Sequence, residues 1–348
     1  MIRYSKPLGK LLDFKQEFFH SNDFKLEQFK KISEIYRAQP HRKLCKNCNN
    51  EIKFNPKECF VKFGVEYSFC PRCNHCNGAY EDTNEFCRIL YTKDEGKDYA
   101  REYISTDDEQ YNKRVQEVYT PKALFLKEAL EEVDGFNQSK LVDFGAGAGY
   151  FVSAALRSGF KDVIGYEPSE TLVKYGNAII GEDRLKKHNI NDIVNLIKSS
   201  EATIASFIAV LEHLQSPRFV LKSLSENRNI KYIYFSVPLF SPTVVIESVF
   251  KEIMPRHLVA GHTHLYTEDS INYFCNEFGF VKLSEWWFGL DFTDLSRSIT
   301  VSLEKNKNES GILIDYWNNN FMPMIDRLQR VLDEEKCGSE VHMLIGKK

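Results

Sequence analysis

Three glycines at alternate positions, Gly145, Gly147 and Gly149, separate the apolar run 141–144 from a helical pattern that begins at Tyr150. Glycine allows a sharp turn and a close approach of the backbone to a ligand. The helix that follows offers backbone N–H groups that have no partner within the helix. A strand, a glycine loop and a helix in this order predict a nucleotide- or nucleoside-binding site in an α/β protein.

Two carboxylates that flank this loop indicate which ligand it binds. Glu167 follows Gly149 by eighteen residues and ends the next predicted strand, where a carboxylate is suited to the two hydroxyl groups of a ribose. A dinucleotide-binding fingerprint needs glycine at position 150, where this chain has Tyr150. Asp143, at the start of the loop, would repel a pyrophosphate and attract an ammonium or a sulfonium group. These residues predict S-adenosylmethionine (SAM), a cationic nucleoside that carries no phosphate.

From Lys140 onwards, short apolar runs alternate with helical patterns. Alternation of this kind predicts an α/β fold with a parallel, doubly wound, Rossmann-like sheet. The predicted strands are 141–144, 163–166, 203–210, 232–237 and one that begins at 280, and the predicted helices are 150–158, 172–180 and 270–278.

The segments outside this pattern suggest how the chain is divided. A length of 348 residues favours about two domains. Helical spacing predicts two short helices within 1–38, a helix over 110–133 and a long helix over 311–336, with a last strand at 340–345. We therefore expect an N-terminal helical segment (1–40), a metal-binding module (41–90) and an α/β domain (100–348) with a helical insertion at about 291–336.

The metal-binding module is predicted from its cysteines. Two Cys-x-x-Cys pairs, separated by 21 residues, are suited to supply four thiolates to one tetrahedral zinc ion. A site that is filled by four protein ligands has no open position, so the zinc is expected to be structural. Cys76 and His75 are substitute ligands, and Cys59 is a weaker alternative. The preferred ligands are Cys45, Cys48, Cys70 and Cys73.

Composition limits the partners and the location of the chain. The formal net charge is -3, and the lysines of the cysteine-rich segment are interspersed with glutamates, which disfavours nucleic acid as a partner. The longest near-apolar run, 204–211, is about a third of a membrane span. The chain also shows no signal-peptide pattern, and clustered cysteines favour metal binding in a reducing compartment. We expect a cytoplasmic protein that acts on a small molecule and has no membrane span.

The α/β region resembles the class I SAM-dependent methyltransferases. Residues 143–149 match the first motif of that family, Glu167 matches its ribose-binding acid, and 206–214 match its fourth strand with the Leu-Glu-His segment that follows. The stretch 261–267 is also similar. The resemblance implies a seven-stranded sheet in which 340–345 lie antiparallel between strands five and six. It also implies a set of cofactor contacts, namely Asp143, Gly145, Ala146, Gly147, Gly149, Glu167, Asn189 and Phe207.

A four-cysteine module ahead of such a core is similar to the zinc-containing bacterial sugar methyltransferases. This similarity implies a small acceptor, such as a sugar or a surface-polysaccharide precursor. Those relatives carry a further C-terminal domain, whereas only about 60 residues follow position 290 here. Methylation at oxygen, nitrogen or carbon therefore stays open. The alternatives are an RNA-directed methyltransferase that uses the zinc module for binding and a non-catalytic protein with the methyltransferase fold.

Histidines near the ends of the fourth and fifth strands are the candidates for the chemistry. Methyl transfer to a hydroxyl or a carbon acid needs a proton acceptor, and histidine is suited to this role near neutral pH. The resemblance implies that His213 is the base and that Glu212 assists it. His262 and His264 lie in a loop after the fifth strand that is placed to cover the acceptor, so they are further candidates.

Overall fold

The computed structural model describes residues 1–6, 21–91, 104–105, 107–133, 136, 139–259, 261–305 and 307–348. In the N-terminal third the elements are β1 (Ile2–Tyr4), α1 (Asn22–Arg37), β2 (Phe60–Lys62), β3 (Val65–Phe69), β4 (Cys76–Gly78), α2 (Asn84–Tyr91), α3 (Asp108–Arg114) and α4 (Thr120–Glu131). A π-helical turn, Val115–Tyr119, joins α3 to α4, so the predicted helix over 110–133 is present with one irregular turn.

The central part alternates strands and helices, as the sequence pattern predicts. Its elements are β5 (Lys140–Phe144), α5 (Tyr150–Arg157), β6 (Asp162–Glu167), α6 (Glu170–Ile180), β7 (Leu185–Lys187), α7 (Ile193–Ser199), β8 (Ile204–Ile208), α8 (Pro217–Glu226), β9 (Tyr232–Pro238), α9 (Pro242–Val249), β10 (His264–Leu265), α10 (Glu268–Phe278) and β11 (Phe280–Phe288). Short 3-10 turns, Ile190–Asp192 and Leu211–His213, precede α7 and α8.

The C-terminal part contains α11 (Asp291–Lys305), α12 (Lys307–Tyr316), α13 (Ile325–Glu334) and β12 (Glu340–Lys347). The prediction of one long helix over 311–336 is wrong, because a π-helical turn and a 3-10 turn separate α12 from α13. Pro323 lies in the 3-10 turn, and its ring and missing N–H do not allow an α-helix to continue through it. Within the described ranges, no helix combines the length and the apolar character needed to cross a membrane.

One eight-stranded sheet forms the centre of the fold, in the order β1-β11-β12-β9-β8-β5-β6-β7. β12 is antiparallel to β9 and to β11, which confirms the predicted position of the last strand. The pairs on either side of β5 and β8 are parallel. Apolar clusters cover both faces of the sheet: one includes Phe125 and Phe151, and the other includes Leu221 and Phe274.

The eighth strand, β1, corrects the prediction of a helix at the N-terminus. Residues 2–4 pair in parallel with β11, and the amino group of Met1 lies 3.0 Å from a carboxylate oxygen of Glu132. The proposed first helix otherwise falls on residues 7–20, which lie outside the described residues. The second predicted helix is present as α1, which buries Leu26 and Tyr36.

A second, four-stranded sheet joins the cysteine-rich module to the α/β domain, in the order β10-β4-β3-β2. β10 comes from the loop between α9 and α10, and it pairs antiparallel with β4. The apolar cluster beneath this sheet combines Tyr36 and Tyr67 of the N-terminal part with Leu258 and Leu265 of that loop. The module and the loop therefore share one sheet and one apolar cluster.

Candidate cofactor and acceptor site

A cavity of about 300 Å³ lies where β5, β6 and β8 end, and residues that follow each of these strands line it. β5 lies between β6 and β8, so the chain leaves β5 on one side and later returns on the other. Ligands of doubly wound sheets bind at such a switch point, outside the carboxyl ends of the strands. We call the part lined by Asp143, Gly147 and Glu167 the loop end. The part lined by Val210, His213 and Gln215 is the histidine end.

The glycine loop is shaped by left-handed backbone at three positions. The φ angles of Gly145, Gly147 and Gly149 are +72°, +55° and +76°. A Cβ atom at Gly145 would lie 2.6 Å from Cγ2 of Val210, whereas a Cβ atom at Gly147 would meet no atom within 4 Å. Gly145 is therefore needed for close packing of the loop against the turn after β8, and the space beside Gly147 belongs to the cavity.

Glu167 is held in place by the backbone. Its Oε2 accepts a hydrogen bond from the Gly147 N–H and its Oε1 accepts one from the Ser169 N–H, both at 2.9 Å. Burial raises the pKa of Glu167, and these two N–H groups act in the opposite direction. Each carboxylate oxygen has two lone pairs, so each keeps one for a further donor. The side chain lines the cavity and is suited to accept from two adjacent hydroxyl groups.

Asp143 is almost fully buried, with 1% of its surface exposed, and it also lines the cavity. Its Oδ1 accepts a 2.6 Å hydrogen bond from the hydroxyl group of Ser206. Burial raises the pKa of Asp143 to about 7, and the nearby charge of Glu167 acts in the same direction. Two desolvated acids at one end of a cavity favour a positively charged ligand and disfavour a phosphate. The residues of the loop end fit the predicted cationic nucleoside.

Three predicted cofactor contacts do not line this cavity: Gly149, Asn189 and Phe207. The N–H of Gly149 closes the glycine loop by donating to the carbonyl of Ala146 at 2.9 Å. Asn189 lies in the turn after β7, where its Oδ1 accepts from the Asn191 N–H at 3.1 Å, and the neighbouring residues His188, Ile190 and Asn191 line the cavity instead. Phe207 is fully buried and stacks on Phe144, with ring centroids 5.1 Å apart. The structure thus places Gly149 at the end of the loop, Asn189 in a turn and Phe207 in the core, and none of the three in the cavity lining.

Several lining residues were not among the predicted site residues. Tyr119 and Tyr150 stack on each other, with ring centroids 5.4 Å apart, and both face the cavity. Cys87 of α2, together with Gln215 and Phe219 around the start of α8, completes the wall at the histidine end. The position of Gln215 after β8 was visible in the sequence, whereas the approach of Cys87 depends on how the module packs.

The histidine end carries a cluster of three groups. Glu212, His213 and His262 each offer a nitrogen or oxygen atom, and these atoms all lie within 4.8 Å of one another. Burial raises the pKa of Glu212 to about 8. Burial lowers the pKa of His262 to about 4. Burial, and to a smaller extent the neighbouring His262, holds the pKa of His213 well below its usual value. The two imidazoles are therefore neutral near pH 7. In each of them one ring nitrogen carries no proton, so it is able to accept a hydrogen bond or to coordinate a metal ion.

His264 is placed apart from this cluster. Its Nδ1 lies 2.8 Å from Nε2 of His75, a residue of the cysteine-rich module, and it does not line the cavity. Its position on β10, which pairs with β4, turns the ring towards the module. The structure thus corrects the expectation that His264 faces the acceptor.

The four predicted metal-binding cysteines lie together. The Sγ atoms of Cys45 and Cys73 are 3.6 Å apart, and those of Cys48 and Cys70 are 3.5 Å apart. A tetrahedral zinc with Zn–S bonds of about 2.3 Å places its sulfur atoms about 3.8 Å apart. The substitute ligands do not join this group, since His75 contacts His264 and the Cys76 side chain belongs to a different apolar cluster.

Both cysteine pairs fold as the same kind of turn. The N–H of Asn49 bonds to the carbonyl of Cys45, and the N–H of Asn74 bonds to that of Cys70, each at 2.9 Å. Both asparagines have a φ of +56°, a left-handed conformation that asparagine tolerates better than most residues. The N–H of Asn47 also lies 3.4 Å from Sγ of Cys45. The backbone therefore aims two thiol groups from each turn at one point.

The first cysteine turn also supports the wall of the cavity. The ammonium group of Lys46 donates to the carbonyl of Leu214, one residue after His213, at 2.8 Å. The side-chain amide of Asn47 donates to the carbonyl of Ser270 at 2.9 Å, and Arg218 donates to the carbonyl of Asn47 at 2.8 Å. The conformation of this turn is thus coupled to the segment that carries His213.

Known proteins resemble the chain in fold and in one family pattern. None of the curated proteins is significantly similar in sequence to the chain. Solved structures with a similar fold include magnesium protoporphyrin IX methyltransferase from Synechocystis PCC 6803 with bound S-adenosylhomocysteine (10% identity, 76% of this chain and 100% of that chain, TM-score 0.49). They also include a SAM-dependent methyltransferase from Archaeoglobus fulgidus (15%, 65% and 94%, TM-score 0.38). A geranyl diphosphate methyltransferase in complex with SAM is a further example (12%, 72% and 95%, TM-score 0.40).

A family model described as a methyltransferase domain matches residues 111–285. The match spans half of the chain and includes the glycine loop, Glu167 and the Glu212–His213 segment. The chain therefore belongs to the methyltransferase-domain family and is a SAM-dependent methyltransferase.

Proposed function

We propose that this enzyme transfers the methyl group of SAM to a small, hydroxylated acceptor, such as a sugar or a surface-polysaccharide precursor, that binds at the histidine end. The observation that carries the proposal is one cavity that is lined by two buried acids at one end and at the other by His213, which belongs to a cluster with Glu212 and His262. Gln215 and Ser216 also line it and offer hydrogen-bonding groups for hydroxyls. The magnesium protoporphyrin and geranyl diphosphate enzymes named above also take small acceptors by their names.

In this proposal each end of the cavity has its own task. Asp143 would hold the ammonium group of SAM, Glu167 would accept from both ribose hydroxyls, and Gly147 would leave space for the backbone to approach the ligand. Bound SAM supplies a methyl group on a sulfonium for an in-line displacement. Because β6 and β8 are two strand spacings apart, about 10 Å, the Glu212–His213–His262 cluster would lie beyond the nucleoside and beside the acceptor.

We also propose that Cys45, Cys48, Cys70 and Cys73 hold a structural zinc ion. The spacing of their sulfur atoms and the two matching turns support this assignment. All four ligands are buried protein thiols, so the ion would take no part in the reaction. Its role would be to fix the turn that contacts Leu214 and Ser270.

The charges of the module do not favour the alternative of an RNA acceptor. Lys46 forms an ion pair with Asp82, and Lys62 forms one with Glu247, and both lysines are buried. Buried and paired lysines are not available to phosphates, so they would not contribute to a salt-sensitive RNA-binding surface.

Replacement of Glu167 with glutamine is expected to weaken SAM binding by about 10- to 100-fold, because a neutral amide loses a charge-assisted contact to the ribose. Titration calorimetry with SAM measures the change. Glu170→Gln is the matched control, since Glu170 is an exposed carboxylate three residues away that pairs with Lys174 and Lys187. Equal affinities for SAM in the wild type and Glu167→Gln would place the ribose elsewhere.

The acceptor class is tested by measuring release of S-adenosylhomocysteine with a panel of nucleotide-linked sugars, free sugars and structured RNA. We expect release with at least one sugar-type acceptor, none with RNA, and little with Glu167→Gln at low SAM concentration. Release that depends on RNA and falls steeply with salt would favour the alternative function.

A further inference from the structure

The Glu212–His213–His262 cluster has a feature that acceptor binding does not explain. Glu212 has 1% of its surface exposed, and among the described residues its Oε2 has no hydrogen-bond partner. The backbone N–H of Glu212 and the charge of Lys122 favour the ionised form, but burial outweighs both and raises the pKa of the carboxyl. The groups that face it are two imidazoles, whose ligand atoms lie within 4.8 Å of the carboxylate oxygen.

Backbone contacts orient both imidazoles. Nδ1 of His262 lies 2.9 Å from the carbonyl oxygen of His257, so Nδ1 carries the proton and Nε2 is left as the acceptor. His213 has a backbone hydrogen bond with Gly261. Histidines that bind metals commonly donate their other ring N–H to a backbone carbonyl, which fixes the ring and raises its strength as a ligand.

These contacts bring two imidazoles and a buried carboxyl group towards one another. A cation between them would displace the carboxyl proton and neutralise the ionised carboxylate, which burial otherwise disfavours. We propose that Glu212, His213 and His262 bind a divalent transition-metal ion at the histidine end of the cavity. Two imidazoles and one carboxylate suit Fe²⁺, Mn²⁺, Co²⁺ or Zn²⁺, and three protein ligands leave positions open.

The proposed ion adds a second component to the acceptor site, and its role rests on the proposed function. His213 lines the cavity, so the open positions would face the acceptor, and an acceptor oxygen is the ligand that fits them. The acceptor class narrows to molecules that present a hydroxyl or enolate oxygen at or beside the methylated atom. In this arrangement His213 acts as a metal ligand, and the ion polarises the acceptor oxygen.

The test is titration of the zinc-loaded protein with Co²⁺, followed by calorimetry, visible absorption and zinc analysis. One equivalent of Co²⁺ is expected to bind without release of zinc. In Glu212→Gln and His262→Asn the affinity for Co²⁺ is expected to fall by at least about 10- to 100-fold, the cost typical even of outer contacts at metal sites. His188→Asn is the matched control, because His188 lines the same cavity but does not belong to the group of three, so its replacement should leave Co²⁺ binding unchanged.

Titration of Glu212→Gln with SAM separates this proposal from the proposed function. Normal SAM affinity together with lost Co²⁺ binding supports the metal site. Equal Co²⁺ binding by Glu212→Gln and the wild type, no Co²⁺ uptake by the wild type, or uptake only with displacement of zinc would overturn it. None of these results bears on the proposal that SAM binds at the loop end. That proposal is tested separately, by the titration of Glu167→Gln with SAM.

Discussion

Replacement of Cys48 with serine is expected to remove zinc from the module and to unfold residues 41–80. Structural zinc sites stabilise small modules by about 10 to 16 kcal/mol in peptides, and the module contains few other buried apolar groups around this site. Cys48 is the most informative position, because the substitute ligands, His75 and Cys76, come directly after the second cysteine turn in sequence and not after the first. Metal analysis should give one zinc per wild-type chain and almost none in the variant.

Hydrogen exchange would show how far the loss of zinc extends. Because Lys46 and Asn47 bond to the carbonyls of Leu214 and Ser270, we expect faster exchange in 211–216 and at the start of α10, together with loss of methyl transfer. Cys59→Ser is the matched control, since Cys59 lies between the two pairs in sequence but outside the cluster of four. One equivalent of zinc in Cys48→Ser would show that the ligand set is wrong.

SAM binding is expected to strengthen as the pH rises from about 5.5 to about 7.5, and Asp143→Asn is expected to remove the part of this dependence that Asp143 contributes. The raised pKa of Asp143, about 7, means that the carboxyl is protonated in the free enzyme at the lower pH. Binding of a cation then requires loss of that proton, so affinity falls by up to about tenfold for each pH unit below the pKa. Glu167, whose pKa is also raised, acts in the same direction. Calorimetry in buffers of different ionisation enthalpy measures both the affinity and the released proton.

In Asp143→Asn the affinity for SAM near neutral pH is expected to fall by about 10²- to 10⁴-fold, the cost of leaving one buried charge without its partner. Ser206→Ala keeps the carboxylate but removes the hydrogen bond that favours its charged form, so it should shift the pH midpoint upward. Flat pH dependence in the wild type, or normal affinity in Asp143→Asn, would argue against an ammonium beside Asp143.

Asp143→Asn is also expected to stabilise the enzyme in the absence of SAM. When the pKa of a carboxyl is higher in the folded state than in the unfolded state, the free energy of unfolding falls as the pH rises between the two values, here from near 4 to near 7. Asp143→Asn avoids this loss, so the free energy of unfolding at about pH 8 should increase by about 2 to 4 kcal/mol. A higher melting temperature with weaker SAM binding would exclude misfolding as the cause.

The strands and helices of the sheet were predictable because each buried strand is an apolar run that is visible locally. β1 was not, since three residues are too few to show a period and their partner, β11, is about 280 residues away. The glycine loop, Asp143 and Glu167 were also predictable, because adjacent parallel strands bring their ends to one edge. The placement of β12 came from the family resemblance and not from its own pattern.

The histidine end was only partly predictable. Glu212 and His213 follow a buried strand, but the approach of His262 depends on the pairing of β10 with β4, which no local pattern reveals. The sequence likewise gives no reason to place His262 in the cluster and His264 against the module. Phe207 is different: β8 lies in the middle of a parallel sheet that is covered on both faces, so the burial of Phe207 could have been inferred.

The pairing of β4 with β10 has a consequence for attempts to recombine this enzyme with its relatives. An edge strand left without its partner exposes unsatisfied N–H and C=O groups, which invites association with other chains. A chimera that exchanges residues 41–80 alone would pair β4 of one protein with β10 of another, although the two strands differ in sequence and in register. An exchange that preserves this pairing would transfer residues 257–270 together with the module from the same protein.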